Sequence, residues 1–304
     1  MICGGLSGPT RRRLLKAGII AAPAIILPRK ARSAANATIN ITYDASWTGG
    51  QTAGVLTPAL TAAVAYLESL IHLPITFQIG AHYTVIGGSA STSSRSYFNS
   101  SLNYAATIAA YKNNITTANA QTAWNNFPAI SPWGGLWQLP RTLGRALGNI
   151  ANSDTNSDGF ITLNSSDTFF YGTPVGGAYD AFGLCLHELT EVMGRGCTVT
   201  DGSGNASVGD LFRLSGVGGY YTGGSFNTYG GSFSIDGGNT LGRLFNPTGG
   251  GDLGDWKTVD NDCCNASGST GTTLFFSAID QEFMDVLGYS AGGGPMFSSF
   301  MAHQ

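Results

Sequence analysis

From Gly196 to Gly271 the chain is dense in Gly, Ser, Asn and Asp, and its apolar runs are short, as in Leu211-Phe212 and Phe233-Ser234-Ile235. No helical period survives in such a stretch, so it must fold as loops and short strands whose Phe, Tyr and Trp residues pack against a framework made elsewhere. Helical bundles and coiled coils are therefore excluded for this quarter of the chain. With 42% hydrophobic residues among its 304, the chain as a whole is also too apolar to remain disordered. Its glycines show no every-third-residue period of a collagen helix.

The framework is written before Gly194. Thr38 to Tyr43 alternates as a strand. Thr57 to Leu70 places Leu60, Val64, Leu67 and Ile71 at helical spacing behind a Thr57-Pro58 start, and Leu73 to Ile79 reads as a strand. Ser89 to Ser94 reads as a polar loop, Leu102 to Tyr111 and Arg141 to Ile150 as helices. Asp180 to Met193 is a helix with Asp180 as its N-cap and an apolar stripe of Phe182, Leu186, Leu189 and Met193. A last helix runs from Ala278 to Leu287 and stops at Gly288. The expected class is α+β in one domain, residues 35–290. It divides into an α/β half, 35–195, and a Gly-rich half, 196–290, with a flexible tail at 291–304.

Charge divides the chain differently. Seven of the fifteen basic residues, Arg11, Arg12, Arg13, Lys16, Arg29, Lys30 and Arg32, precede residue 34, and no acid appears before Asp44. Removing these seven leaves eight basic against eighteen acidic residues, a net of about −10 by count. An acidic body disfavours nucleic-acid binding. The basic start, the apolar run Ala17 to Leu27 and the small residues at Ser33-Ala34-Ala35 have the layout of a secretory signal peptide, expected at 1–34. The run is too short to span a bilayer, and no stretch of 18 apolar residues occurs, so no stable membrane span is expected. Thr10-Arg11-Arg12 with Leu14, Leu15 and Lys16 resembles the twin-arginine export signal. That resemblance implies the twin-arginine export machinery as a partner and a secreted or periplasmic prokaryotic protein.

An oxidising destination gives the four cysteines beyond the leader, Cys185, Cys197, Cys263 and Cys264, a reading as disulfides. A bond between the neighbours Cys263 and Cys264 would be strained, so each is expected to reach back to Cys185 or Cys197.

Against so few charges, Leu184-Cys-Leu-His187-Glu188-Leu-Thr-Glu191-Val-Met-Gly194-Arg195 stands out. On a helix, His187 and Glu191 lie one turn apart on one face, the spacing at which two side chains share a metal, and Glu188 stands beside them as a general base. A plain amphipathic helix with solvent-facing His and Glu is the competing reading.

This stretch resembles the zinc metallopeptidases of the metzincin type, and more closely a group of secreted bacterial metalloprotease-like proteins that carry His-Glu-x-x-Glu-x-x-Gly-Arg. Asp158-Gly159-Phe-Ile-Thr-Leu followed by Phe169-Phe170-Tyr171 is similar to the substrate-side edge strand. Tyr179-Asp180 opens the helix, Gly194 turns out of it, and Ser277 to Tyr289 looks like the C-terminal helix. The resemblance implies a twisted mixed sheet with an active-site helix, a Zn2+ cofactor, a protein or peptide substrate, and zinc-dependent endopeptidase activity with Glu188 catalytic and His187 and Glu191 as ligands. The third ligand position of the metzincin pattern falls on Cys197, which the cysteine count assigns instead to a disulfide. Asp210 takes its place, because the resembling group carries an Asp-Leu-Phe-Arg segment, with Asp201 second. No Met-turn follows the helix. The alternative is a non-catalytic exported binding protein on a degenerate scaffold of the same kind, with Ca2+.

A calcium turn is suggested by Asp154-Thr-Asn156-Ser-Asp158-Gly159, whose oxygen side chains alternate, although Ser165 stands where the closing carboxylate belongs. A plain polar turn competes with it. Trp124, Phe127, Trp133 and Trp137 read as core packing rather than a binding platform, and His72 and His82 as surface or core residues.

Overall fold

The computed structural model describes residues 36–98, 103–114, 116–133, 137–197, 206–220, 231–247 and 251–289. The expected leader, the tail and Asp201 lie outside the described residues.

Thr38–Tyr43 (β1) crosses through helix Thr57–Leu70 (α1) to Thr76–Thr84 (β2), a βαβ unit whose strands pair in parallel from Thr38 opposite Thr76. β2 begins three residues later than the apolar run suggests, just past Pro74, which offers no N–H to a ladder. Ser91–Arg95 (β3) and Gly159–Asn164 (β4) complete a four-stranded sheet in the order β1-β2-β4-β3. β4 runs parallel to β2, and β3 closes the edge antiparallel, Ser91 facing Leu163 and Arg95 facing Gly159. Two expectations change here. Residues 91–94 of the expected loop are strand, and the strand after Asp158 is interior, so the edge strand on this side is β3. Gly159, with φ at 151°, is required by this junction: a Cβ there would lie 2.3 Å from the Ser94 carbonyl oxygen.

The sheet buries one face. Phe77, Ile79 and Ala81 of β2 and Ile161 and Leu163 of β4 meet Ala59, Leu60, Ala63 and Leu67 of α1 and Leu186, Leu189 and Val192 of Ala181–Val192 (α5) in one core. A turn at Thr52–Leu56 lengthens α1, and Thr52–Leu70 is long and apolar enough, by length and composition, to cross a membrane. Its buried stripe packs in this core.

Tyr104–Asn114 (α2), Ala118–Asn125 (α3) and Arg141–Ala146 (α4) lie between β3 and β4 in the chain; α3 is absent from the sequence reading, its Ala, Asn and Gln giving no apolar stripe. Trp124 stacks on Tyr111 with centroids 4.2 Å apart, and Trp133 and Trp137 are buried with Tyr104 and Leu211, so the tryptophans pack as expected. The C-terminal half adds two-residue strands, a single turn at Gly209–Phe212, and Ala278–Met284 (α6), with Ser277 and Asp280 forming a capping box. The whole is α+β with a mixed sheet, and the described residues belong to one compact unit beginning at Ala34.

Candidate metal centre

α5 is fixed at both ends. Asp180 caps it by accepting from Phe182 N at 3.0 Å, and its second oxygen accepts from Leu274 N at 2.9 Å, tying the helix start to the C-terminal half. At the other end Gly194 takes a left-handed conformation (φ 93°), and the Met193 carbonyl accepts from Tyr289 Oη at 2.6 Å.

Between these ends, His187 Nε2 lies 3.7 Å from Glu191 Oε1 and 3.6 Å from Asp255 Oδ2. Its Nδ1 is 2.8 Å from the Cys263 carbonyl oxygen, which can only accept, so Nδ1 carries a proton and Nε2 is the ring nitrogen turned toward the two carboxylates. Glu191 Oε2 accepts from Ser93 Oγ at 2.6 Å, whereas its buried Oε1 has no hydrogen-bond partner. Glu188 bonds to Ser91 and likewise leaves a buried Oε2 without a partner. One ligand atom each from His187, Glu188 and Glu191 falls within 4.8 Å of the others.

Three carboxylates set the charge of the one histidine among them. Burial alone would lower the His187 pKa, yet Asp255, Glu188 and Glu191 push it up to about 10. Burial pushes Asp255 up to about 7, and burial, with Glu191 and Asp255 adding to it, pushes Glu188 up to about 8. Against its own burial, Glu191 is held below the usual range by His187 and Arg95. A proton on Nε2 would occupy the place a metal ion takes. An imidazole nitrogen with two carboxylate oxygens, and buried acceptors otherwise unmatched, is a donor set that suits zinc.

Behind the donors, Arg195 donates to Asp255 Oδ1 at 3.2 Å, Asp280 Oδ1 at 3.3 Å and the Cys264 carbonyl at 3.2 Å, with its guanidinium over the Trp256 ring. The surrounding acids hold its pKa well above the ordinary arginine value, against burial. Arg213 donates to the Leu253 carbonyl at 2.7 Å, and Asp252 Oδ1 accepts from Gly254 N at 2.6 Å, which shapes the turn that delivers Asp255.

The structure thus joins His187, Glu188 and Glu191, and the other expected site residues lie outside this group. Asp210 does not face His187; its Oδ2 accepts from Ser207 N at 2.7 Å and Ser207 Oγ at 2.8 Å, a buried local cap. The third acid is Asp255. Its only sequence signal is a second acid in Gly251-Asp-Leu-Gly-Asp255 beside Trp256, which the surrounding glycines mask. No disulfide joins Cys185, Cys197, Cys263 and Cys264, all buried; the contact among them is between the neighbours, Cys263 Sγ to Cys264 Sγ at 3.7 Å. The turn at 154–158 closes on a guanidinium: Arg145 Nε donates to Asp158 at 2.8 Å, and its Nη atoms donate to the carbonyls of Ala151, Asp154 and Asn156. Of the side chains a calcium turn would use, Asp158 is thus held by Arg145, and Asp154 Oδ1 accepts from Arg141 Nη2 at 2.6 Å. His72 bonds to Asn36 and His82 stacks on Phe160, both away from the centre.

Comparison with models of protein families, with characterised proteins and with solved structures yields no match to this chain.

Proposed function

We propose that the chain is an exported zinc-dependent endopeptidase in which His187, Glu191 and Asp255 hold the metal and Glu188 is the general base. The observation that carries this reading is the convergence of His187 Nε2 with Glu191 Oε1 and Asp255 Oδ2, with Glu188 Oε2 unpartnered beside them. Zinc held there would supply Lewis acidity to a scissile carbonyl and acidify a water. Glu188 accepts the proton of the attacking water and returns it to the leaving amine nitrogen. β3 bonds to β4 along one side, and among the described residues no strand pairs with its other side. An extended peptide adding there would lie beside Ser91 and Ser93, which hold the two glutamates. A strand so placed along the helix is what the metzincin likeness implies, and the basic leader supports export.

The test is the full chain freed of its leader, loaded with zinc and given an unfolded protein substrate. Cleavage should be abolished by a chelator, and Glu188→Gln should lower kcat by about 100-fold or more while retaining one zinc per chain. Undiminished cleavage by that variant would sink the mechanism.

Enclosure favours a second reading. The His187 side chain is 11% exposed and Asp255 only 3%, and closed centres hold structural ions in non-catalytic proteins. Bound zinc without cleavage under the same conditions would establish it.

A further inference from the structure

Cys263 and Cys264 are adjacent in sequence, and both are buried with their sulfurs 3.7 Å apart. With Asp262 they could form a small metal-ligand group, but both Asp262 oxygens are engaged: Oδ1 accepts from Cys264 N at 2.7 Å and Oδ2 from Arg243 Nη1 at 2.9 Å. What remains is a pair of thiols in contact. The peptide unit between them is the one that serves the metal centre. Its carbonyl, that of Cys263, takes the His187 Nδ1 proton, and its N–H, that of Cys264, is the donor to Asp262. The next carbonyl, that of Cys264, receives Arg195, which holds Asp255.

The geometry points to Cys263–Cys264 as an oxidation site that closes to a vicinal disulfide and thereby releases His187 from its carbonyl acceptor. The eight-membered ring so formed contains that peptide unit. Neighbouring Cα atoms are about 3.8 Å apart, below the usual disulfide span of about 4.4–6.8 Å, so ring closure must twist the amide and turn its carbonyl. A strained disulfide of this kind is readily reduced, which makes the change reversible. In the step, a small disulfide oxidant is attacked by Cys263 sulfur, forming a mixed disulfide and releasing one thiol. Cys264 sulfur then displaces the second. The two cysteines lose two protons and two electrons, and the oxidant becomes two thiols. Burial raises both cysteine pKa values, so the exchange is slow and is paced by opening of the 256–266 segment.

The oxidation half stands by itself; its effect on metal binding rests on the proposed zinc centre. The test treats the chain freed of its leader, and so of Cys3, with 2-hydroxyethyl disulfide, removes the reagent, and follows mass, alkylation after denaturation, the His187 imidazole signals in a 1H–15N spectrum, and zinc affinity. The expected product is 2 Da lighter, alkylated at Cys185 and Cys197 but not at Cys263 or Cys264, with shifted His187 signals and zinc affinity reduced about 10- to 100-fold. Reduction should reverse all four changes, and Cys264→Ser should show none of them. Persistent alkylation of Cys263 and Cys264, a bond to Cys185 or Cys197 instead, or unmoved His187 signals in the 2 Da product would overturn the proposal. Failure of the reduced chain to bind zinc would defeat the metal centre alone, because mass and the His187 signals still judge the switch.

Discussion

Arg195 Nη1 donates to Oδ1 of Asp255, which leaves Oδ2 as the oxygen turned toward His187 Nε2. A carboxylate pinned at one oxygen offers the other in a fixed direction, the arrangement that metal ligands derive from the groups behind them. Arg195→Met removes the partner of two buried acids and should lower stability by about 3–5 kcal/mol in denaturant unfolding. Arg195→Lys restores the charge without the fork. It should recover much of that stability while zinc affinity stays below that of the parent chain, a separation readable by titration calorimetry.

Asp255 and Asp210 are distinguishable by experiment. Asp255→Asn should weaken zinc binding by about 100-fold or more, as expected for removal of a charged ligand with its supporting bond. Asp210→Ala should leave zinc affinity unchanged and cost about 1–3 kcal/mol of stability, because the buried Ser207 N–H loses its acceptor. A competition assay with a chromophoric chelator measures both.

The turn at 154–158 should not respond to calcium. Arg145 and Asp158 are wholly buried partners, and Arg145→Met should lower stability by about 3–5 kcal/mol. Millimolar calcium should not raise the melting temperature of the parent chain through this turn, nor rescue the variant, in thermal unfolding followed by circular dichroism.

Asp285 gives a pH dependence remote from the centre. Burial pushes its carboxyl up to about 6, Glu282 adds to this, and the hydrogen bonds from Thr117 Oγ1 at 2.8 and 3.0 Å oppose it. The folded state therefore favours the protonated form. Its contribution is present below the ordinary carboxylate range and is lost as pH rises through about 6. Asp285→Asn should stabilise the chain at pH 8 by at most about 3 kcal/mol, with the difference vanishing near pH 4. Denaturant midpoints across that range measure it.

The parts of this molecule that were legible in its sequence are those whose side chains obey one rule at a time. α5 announces itself through Asp180, its apolar stripe and Gly194, and the structure places its ends within one residue of the reading. β3 is hidden because an edge strand beside carboxylates reverses the usual pattern: Ser91, Ser93 and Arg95 face the helix, so the inward side is polar and the segment reads as a turn. Asp210 entered through a resemblance and is bonded locally to Ser207, while Asp255 is brought to the helix only by a loop folded back through Arg213 and Arg195. Arg145 in the 154–158 turn is invisible for a related reason, since spacing reveals oxygens but not what fills the space among them.

The centre draws on β3, α5 and the 252–264 loop, with α6 bracing Arg195 behind it, and the bonds that join these parts span 98 residues from Ser93 to Glu191, 76 from His187 to Cys263 and 85 from Arg195 to Asp280. Such long loops close late, after local helices and hairpins have formed. During synthesis the helix bearing His187 and Glu191 is therefore complete well before Asp280 has been translated. A chain halted short of α6 would keep its helix and lack the centre, so capture of a metal ion would mark the completion of folding rather than its beginning.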